Sequence, residues 1–182
     1  MAATRGVPVG DPTRWQTMTN AHRHRLRPKN DFVPGMEQTI WLLAAWMGSG
    51  GADPAVVGTI WAQESSLTLG NPVSPNYKRR DGRLVSASRD YGPLQLNDYW
   101  KLNQTDWNTK YNPAGWDLKS DPWYSFLAGA RDVADHGGRS GDVTAAAKYW
   151  HGPKSRDIDK YIEGINKKWT QLSSFFDCLK GE

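Results

Sequence analysis

Apolar residues recur at spacings of three and four in five stretches of the chain, and each stretch predicts a helix. The first runs near residues 36–47, with Ile40, Leu43, Ala44 and Met47 on one face, and Gly48-Ser49-Gly50-Gly51 ends it. The second covers residues 53–67. Asp53 suits the N-cap, and Pro54 suits the first helical position, where no backbone N–H is missed. Asp121-Pro122 opens a third in the same way, with Phe126, Leu127, Ala130, Val133 and Ala134 apolar and Gly137-Gly138 closing it. A short helix follows at residues 142–150. In the last and longest, Ile158, Tyr161, Ile162, Ile165, Trp169, Leu172 and Phe176 form one stripe. Between the second and third helices the period is lost. Residues 70–83 read as a loop with turn signals at Asn71-Pro72 and Asp81-Gly82. Leu84-Val85-Ser86 pairs with residues 90–96 as a short hairpin, and residues 99–120 read as irregular, since Asn112-Pro113 breaks any helix. Residues 1–34 show no period and read as an extended arm, leaving residues 35–182 as one domain. The expected class is α+β, predominantly α, with a small sheet.

One charged residue lies on an apolar stripe. Glu64 falls four after Ile60, three after Trp61 and three before Leu67, so it shares the face those residues form with Val57. Burial there disfavours the carboxylate and raises the pKa. A carboxyl that stays protonated near neutral pH is what a general acid requires. The plainer alternative is a Glu at the rim of the stripe, paired with Lys or Arg.

Composition narrows the class. Of the 182 residues 38% are hydrophobic, with 10 Trp and 7 Tyr, which marks a folded chain rather than a disordered one. Trp41, Trp46 and Trp169 read as core. Trp100, Trp107, Trp116, Trp123 and Trp150 lie in loops or beside motif residues, where an indole can also serve as a sugar-stacking face. The formal charge of +4 is uneven. Residues 1–30 hold six Lys or Arg and one Asp, while the rest holds 17 basic and 18 acidic groups. The basicity belongs to the arm, which suits an anionic surface or is simply a solvated tail. No nucleic-acid partner is expected of the domain. His22 and His24 lack the companions of a metal site, and no metal or cofactor is expected. Cys178 is alone, so no intramolecular disulfide forms. No apolar run approaches ~18 residues, and no membrane span is expected. No signal peptide is legible, and the chain reads as a monomer.

Glu64-Ser65-Ser66-Leu67 is followed, after a Gly/Pro/Asn-rich connection, by Asp90-Tyr91-Gly92-Pro93-Leu94-Gln95-Leu96-Asn97. This pairing resembles the lysozyme and lytic transglycosylase superfamily, in which a Glu-Ser at a helix end precedes a hairpin bearing Asp-Tyr-Gly, two apolar residues, Gln, an apolar residue and Asn. Asp121-Pro122 with Ser125, Ala128, Gly129 and Ala130 is similar to a further transglycosylase stretch. Residues 145–152 resemble an Ala-x-x-Tyr-Asn-x-Gly motif through Tyr149 and Gly152, with Trp150 in place of the Asn. The resemblance spans roughly residues 53–165. Each half of the first pairing alone is weak, and the two together are moderately specific.

The resemblance implies a lysozyme-like fold with a small hairpin or three-stranded sheet beside the cleft. It implies cleavage of the MurNAc–GlcNAc β-1,4 bond of peptidoglycan outside the cytoplasm, by transglycosylation or hydrolysis. Animal-type lysozymes are stapled by disulfides, so a bacterial or phage form is expected here. Glu64 would be the acid and then the base. Asp90 would be the second carboxylate, or else a turn residue that orders the hairpin. Ser66, Tyr91, Gln95, Asn97, Tyr149 and Trp150 would touch substrate, with the Tyr149 hydroxyl near the acid. Gln95 has an alternative as a backbone-bonding residue. Lys78, Arg79, Arg80 and Arg83 would reach a peptide or carboxylate on the substrate, or stay solvated. A chitin- or chitosan-cleaving relative and a non-catalytic glycan-binding protein that kept the fold remain open.

Overall fold

A computed structural model describes residues 34–81, 83–152 and 155–180. The basic arm at residues 1–34, but for Pro34, lies outside the described residues. The chain is mostly helical with a three-stranded antiparallel sheet. Helix α1 (Met36–Gly48) leads into α2 (Pro54–Ser65). Strands β1 (Val73–Arg80), β2 (Arg83–Tyr91) and β3 (Leu96–Asn97) follow, in the order β1-β2-β3. A wide turn at Asp98–Leu102 precedes α3 (Thr105–Tyr111), α4 (Pro122–Asp135), α5 (Val143–His151) and α6 (Ile158–Lys180).

The caps form as the residue types predict. Asp53 accepts from the Ala55 N–H at 2.7 Å, Asp121 from Trp123 and Tyr124 at 2.9 and 3.1 Å, and Asp142 from Ala145 at 2.8 Å. Helix α2 is the centre of the molecule. Every residue from Ala55 to Ala62 is buried, so it packs on all sides rather than along one stripe. Trp61 meets Phe126 at 4.6 Å and Trp41 at 5.7 Å between ring centroids. Leu42 of α1 and Leu172 of α6 close on Gly58, where a Cβ would lie 3.3 and 3.5 Å from them. A second, smaller core of Leu96, Trp107, Tyr111, Leu118 and Ala128 joins the sheet to α3 and α4.

Four expectations are corrected. Helix α1 buries Thr39, Leu42 and Ala45, while Ile40 and Met47 are 55% and 68% exposed. Thr39 can face inward because its hydroxyl donates to the Gly35 carbonyl at 2.8 Å. Residues 73–80 are a strand, not a loop. Their partner is the whole of residues 83–91, so the hairpin turns at Asp81 rather than within residues 87–89. Both faces of this hairpin meet solvent over most of its length, which removes the alternation that marks a half-buried strand. Residues 105–111 form a helix, with Trp107 and Tyr111 turned inward.

Strand β2 carries one extra residue. Asn76 pairs with Ser88 but Tyr77 with Ser86, leaving Ala87 over. Such a bulge twists the strand and resets its faces. Val85, Ser88 and Asp90 are the half-buried side chains along it before Tyr91, although 85 and 88 are three apart.

Candidate active site

Glu64 occupies the penultimate position of α2, the end at which unpaired helix carbonyls concentrate negative charge. The helix stops there because Ser66 and Leu67 both turn left-handed, at φ 55° and 61°. The reversal is fixed on two sides. The Trp61 indole donates to the Thr68 carbonyl at 3.0 Å, and the Ser65 hydroxyl donates to the Pro93 carbonyl at 2.6 Å. Glu64 is half-buried. Burial raises its pKa to about 7, a hydrogen bond from Tyr161 opposes the rise, Asp90 adds to it and Lys101 lowers it.

Asp90, on β2, is clamped by two amides. Asn76 donates to Oδ2 at 2.8 Å and Asn97 to Oδ1 at 2.7 Å. It is therefore a strand residue, not a turn residue. Asn97 also donates to Ser88 Oγ at 3.0 Å and accepts from the Trp100 N–H at 3.0 Å, so its side chain serves the protein on every side. Gln95 sits at φ 53° between β2 and β3, and its amide donates to the Pro72 and Gly92 carbonyls at 3.1 and 2.8 Å. Both amide hydrogens thus go to backbone. Tyr91 is half-buried at the end of β2, paired with Leu96, with Lys119 Nζ 5.7 Å from its ring. Ser66 is exposed as the helix cap, and its neighbour Ser65 makes the contact to the sheet turn.

The tyrosine bonded to Glu64 is Tyr161, not Tyr149. Tyr161 donates to Glu64 Oε1 at 2.5 Å from the start of α6. Its phenol is pushed above its usual range by burial and by the carboxylate beside it. The Tyr149 hydroxyl instead donates to Asp132 at 2.9 Å, and its ring stacks on His136 at 3.4 Å. Tyr149 lies inside α5 with its hydroxyl turned to Asp132 of α4, while Tyr161 lies in the first turn of α6, which packs along α2.

Asp132 and its partner Lys101, like the Tyr161 contact, were not singled out by sequence reasoning. The Asp132 side chain is 0% exposed. It forms an ion pair with Lys101, accepts from Trp107 Nε1 at 2.9 Å, and lies 3.1 Å from His136 Nδ1. The signal that marks Glu64 was also present here, since Asp132 falls four after the buried Ala128 and next to Val133 on the apolar side of α4. Lys101 is only 12% exposed, and its ammonium lies 3.9 Å from the Trp150 ring and 5.0 Å from the Tyr149 ring. Trp150 in turn donates to the Leu94 carbonyl at 3.1 Å.

Among the tryptophans suited to sugar stacking, Trp100 is 72% exposed and meets Tyr99 edge-on at 4.8 Å. Trp107 is buried and is not such a face. Trp116 and Trp123 are half-buried against Tyr124 and Trp41. A groove of about 500 Å³ runs beside Tyr161, lined by Gln63, His151, Lys160, Lys167 and Lys168 among others. Among the described residues no group of three potential metal ligands gathers, and no helix is long and apolar enough to cross a membrane. Comparison with family models, curated proteins and solved structures returns no match.

Proposed function

We propose that this chain is a lysozyme-like glycosidase that cleaves the MurNAc–GlcNAc β-1,4 bond of peptidoglycan outside the cytoplasm. One observation carries the reading. A half-buried carboxyl at a helix end has its pKa raised to about 7, with a second carboxylate, Asp90, close enough to raise it further. Two carboxyl groups in unlike surroundings are the usual means of splitting acid and stabiliser roles, and lysozyme itself is the best-known example of that arrangement. In this reading Glu64 gives its proton to the glycosidic oxygen as the bond breaks. The resulting carboxylate then takes a proton from water or from the sugar's own 6-hydroxyl. Asp90, fixed by Asn76 and Asn97, is the second carboxylate: in hydrolysis its charge would face the developing oxocarbenium centre, and in transglycosylation it orders the hairpin. The hairpin supports an acidic substrate over neutral chitin, because Lys78, Arg80 and Arg83 are exposed on it.

Mass spectrometry of digested peptidoglycan tests this. Anhydro ends mean transglycosylation and reducing ends mean hydrolysis. Absence of products from peptidoglycan and from chitin oligomers alike would leave a glycan-binding protein.

A further inference from the structure

Lys101 has no place in the reaction as described, yet its side chain is only 12% exposed and is held by an ion pair and by aromatic rings. Its ammonium pairs with a carboxylate that has no solvent access, under two aromatic faces. A short path leads from it to the acid. Trp150, beneath the ammonium, hangs by its indole N–H from the Leu94 carbonyl, and the adjacent Pro93 carbonyl holds Ser65, the residue after Glu64. Sheet turn, α5 and the end of α2 thus meet within a few residues, Lys101 packing on the α5 member and Glu64 preceding the α2 member.

We infer that Lys101 is a positioning residue for Glu64: an ammonium anchored by Asp132 faces the acid and compensates the negative charge that appears when Glu64 releases its proton. The inference rests on the glycosidase reading for its role in turnover, but the charge relationship stands apart from it. Lys101 favours the charged form of Glu64 and Glu64 that of Lys101, in each case as the smallest of the influences on the group. Burial pushes Lys101 below its usual range, and Asp132 opposes that by favouring the ammonium. The other groups facing Glu64 are Tyr161 from α6 and Asp90 from β2. Those facing Lys101 are Asp132 from α4, Trp107 from α3, and Tyr149 and Trp150 from α5. A charged partner placed before the reaction needs no reorganisation as the carboxylate forms.

The test uses the full chain with ¹³C-labelled Glu carboxyls and ¹⁵N-labelled Lys, followed by NMR across pH. In the wild type the Lys101 ¹⁵Nζ resonance should move with the Glu64 midpoint, and that movement should vanish in Glu64→Gln. In Lys101→Met, and in Lys101→Met/Asp132→Asn, which leaves no lone buried charge, the Glu64 midpoint should rise by about one unit. Turnover at neutral pH should fall about tenfold with KM little changed, the alkaline limb should follow the midpoint, and Lys101→Arg should restore both. A Lys101 resonance that ignores Glu64 in the wild type overturns the inference, as does a folded double variant whose Glu64 midpoint has not moved. If the titrations are coupled but digestion yields no products, the glycosidase reading falls and this one stands.

Discussion

Tyr161 reaches across 97 residues of chain to place its hydroxyl 2.5 Å from Glu64 Oε1. The bond favours the ionised acid, so it offsets part of the rise that burial imposes. In Tyr161→Phe that support is lost while the ring keeps its stacking on His151 at 4.2 Å. A hydrogen bond to a charged group is worth ~1.5–3 kcal/mol, or about one to two units of pKa. The alkaline limb of activity should therefore move to higher pH by about one unit. A limb that stays in place shows that Tyr161 does not govern the acid.

Glu64→Gln keeps the shape and removes the proton. Cell-wall lysis should fall by about 10²–10⁴, the usual cost of losing general acid catalysis. The same substitution has a thermal signature. The folded chain raises the Glu64 pKa from 4.5 to about 7, so it binds this proton more tightly than the unfolded chain does. That stabilisation is complete below the unfolded pKa and is lost as pH rises through the folded one. Above pH ~8 the wild type should trail Glu64→Gln by on the order of 3 kcal/mol relative to their difference in acid. Melting curves at several pH values check this, and a difference independent of pH would rule out a buried, raised Glu64.

Asp90→Asn separates the two mechanisms. If the Asp90 charge faces the cation, its loss costs on the order of 10²–10³ in turnover. If substrate groups stabilise the intermediate, as in transglycosylation, the cost stays below about tenfold. We expect the smaller loss together with anhydro products. Removing the like charge should also lower the Glu64 midpoint, because Asp90 contributes to its rise. A large loss with reducing-end products would reverse the assignment.

Gly92 joins β2 to the turn that holds Ser65 and Gln95. It sits at φ 74°, and a Cβ there would lie 2.2 Å from Ser125 Oγ. Gly92→Ala should destabilise the chain by roughly 2–4 kcal/mol through strain and overlap together. Urea denaturation measures it, and a loss under about 1 kcal/mol would mean that Ser125 and the turn give way freely.

Helix limits were legible where a local chemical reason sets them. Asp53-Pro54 and Asp121-Pro122 carry the cap and the first-turn residue in adjacent positions, and both helices begin there. Strand β1 was not legible, because neither face of Val73–Arg80 is buried and its structure depends on pairing with residues 83–91. The α1 face was misread because Thr39 looks polar until its hydroxyl is seen bonded along its own helix. Glu64 drew attention by continuing an apolar spacing, although α2 is buried on all sides from Ala55 to Ala62 rather than along one stripe. The same spacing argument would have singled out Asp132, which is fully buried, but no family motif drew attention to it. Tyr161 read as core because it is core, at 8% exposure, and only tertiary packing shows where its hydroxyl ends.

The left-handed pair Ser66 and Leu67 has a cost that the acid depends on. Each non-glycine residue in that region raises the energy of the folded chain by on the order of 1 kcal/mol, and the rest of the fold must hold it there. Leu67 is kept by its buried side chain, but Ser66 is exposed and could relax if replaced by glycine. Ser66→Gly would then make a sturdier protein with a looser joint behind Glu64. Durability and aim pull in opposite directions at this one position.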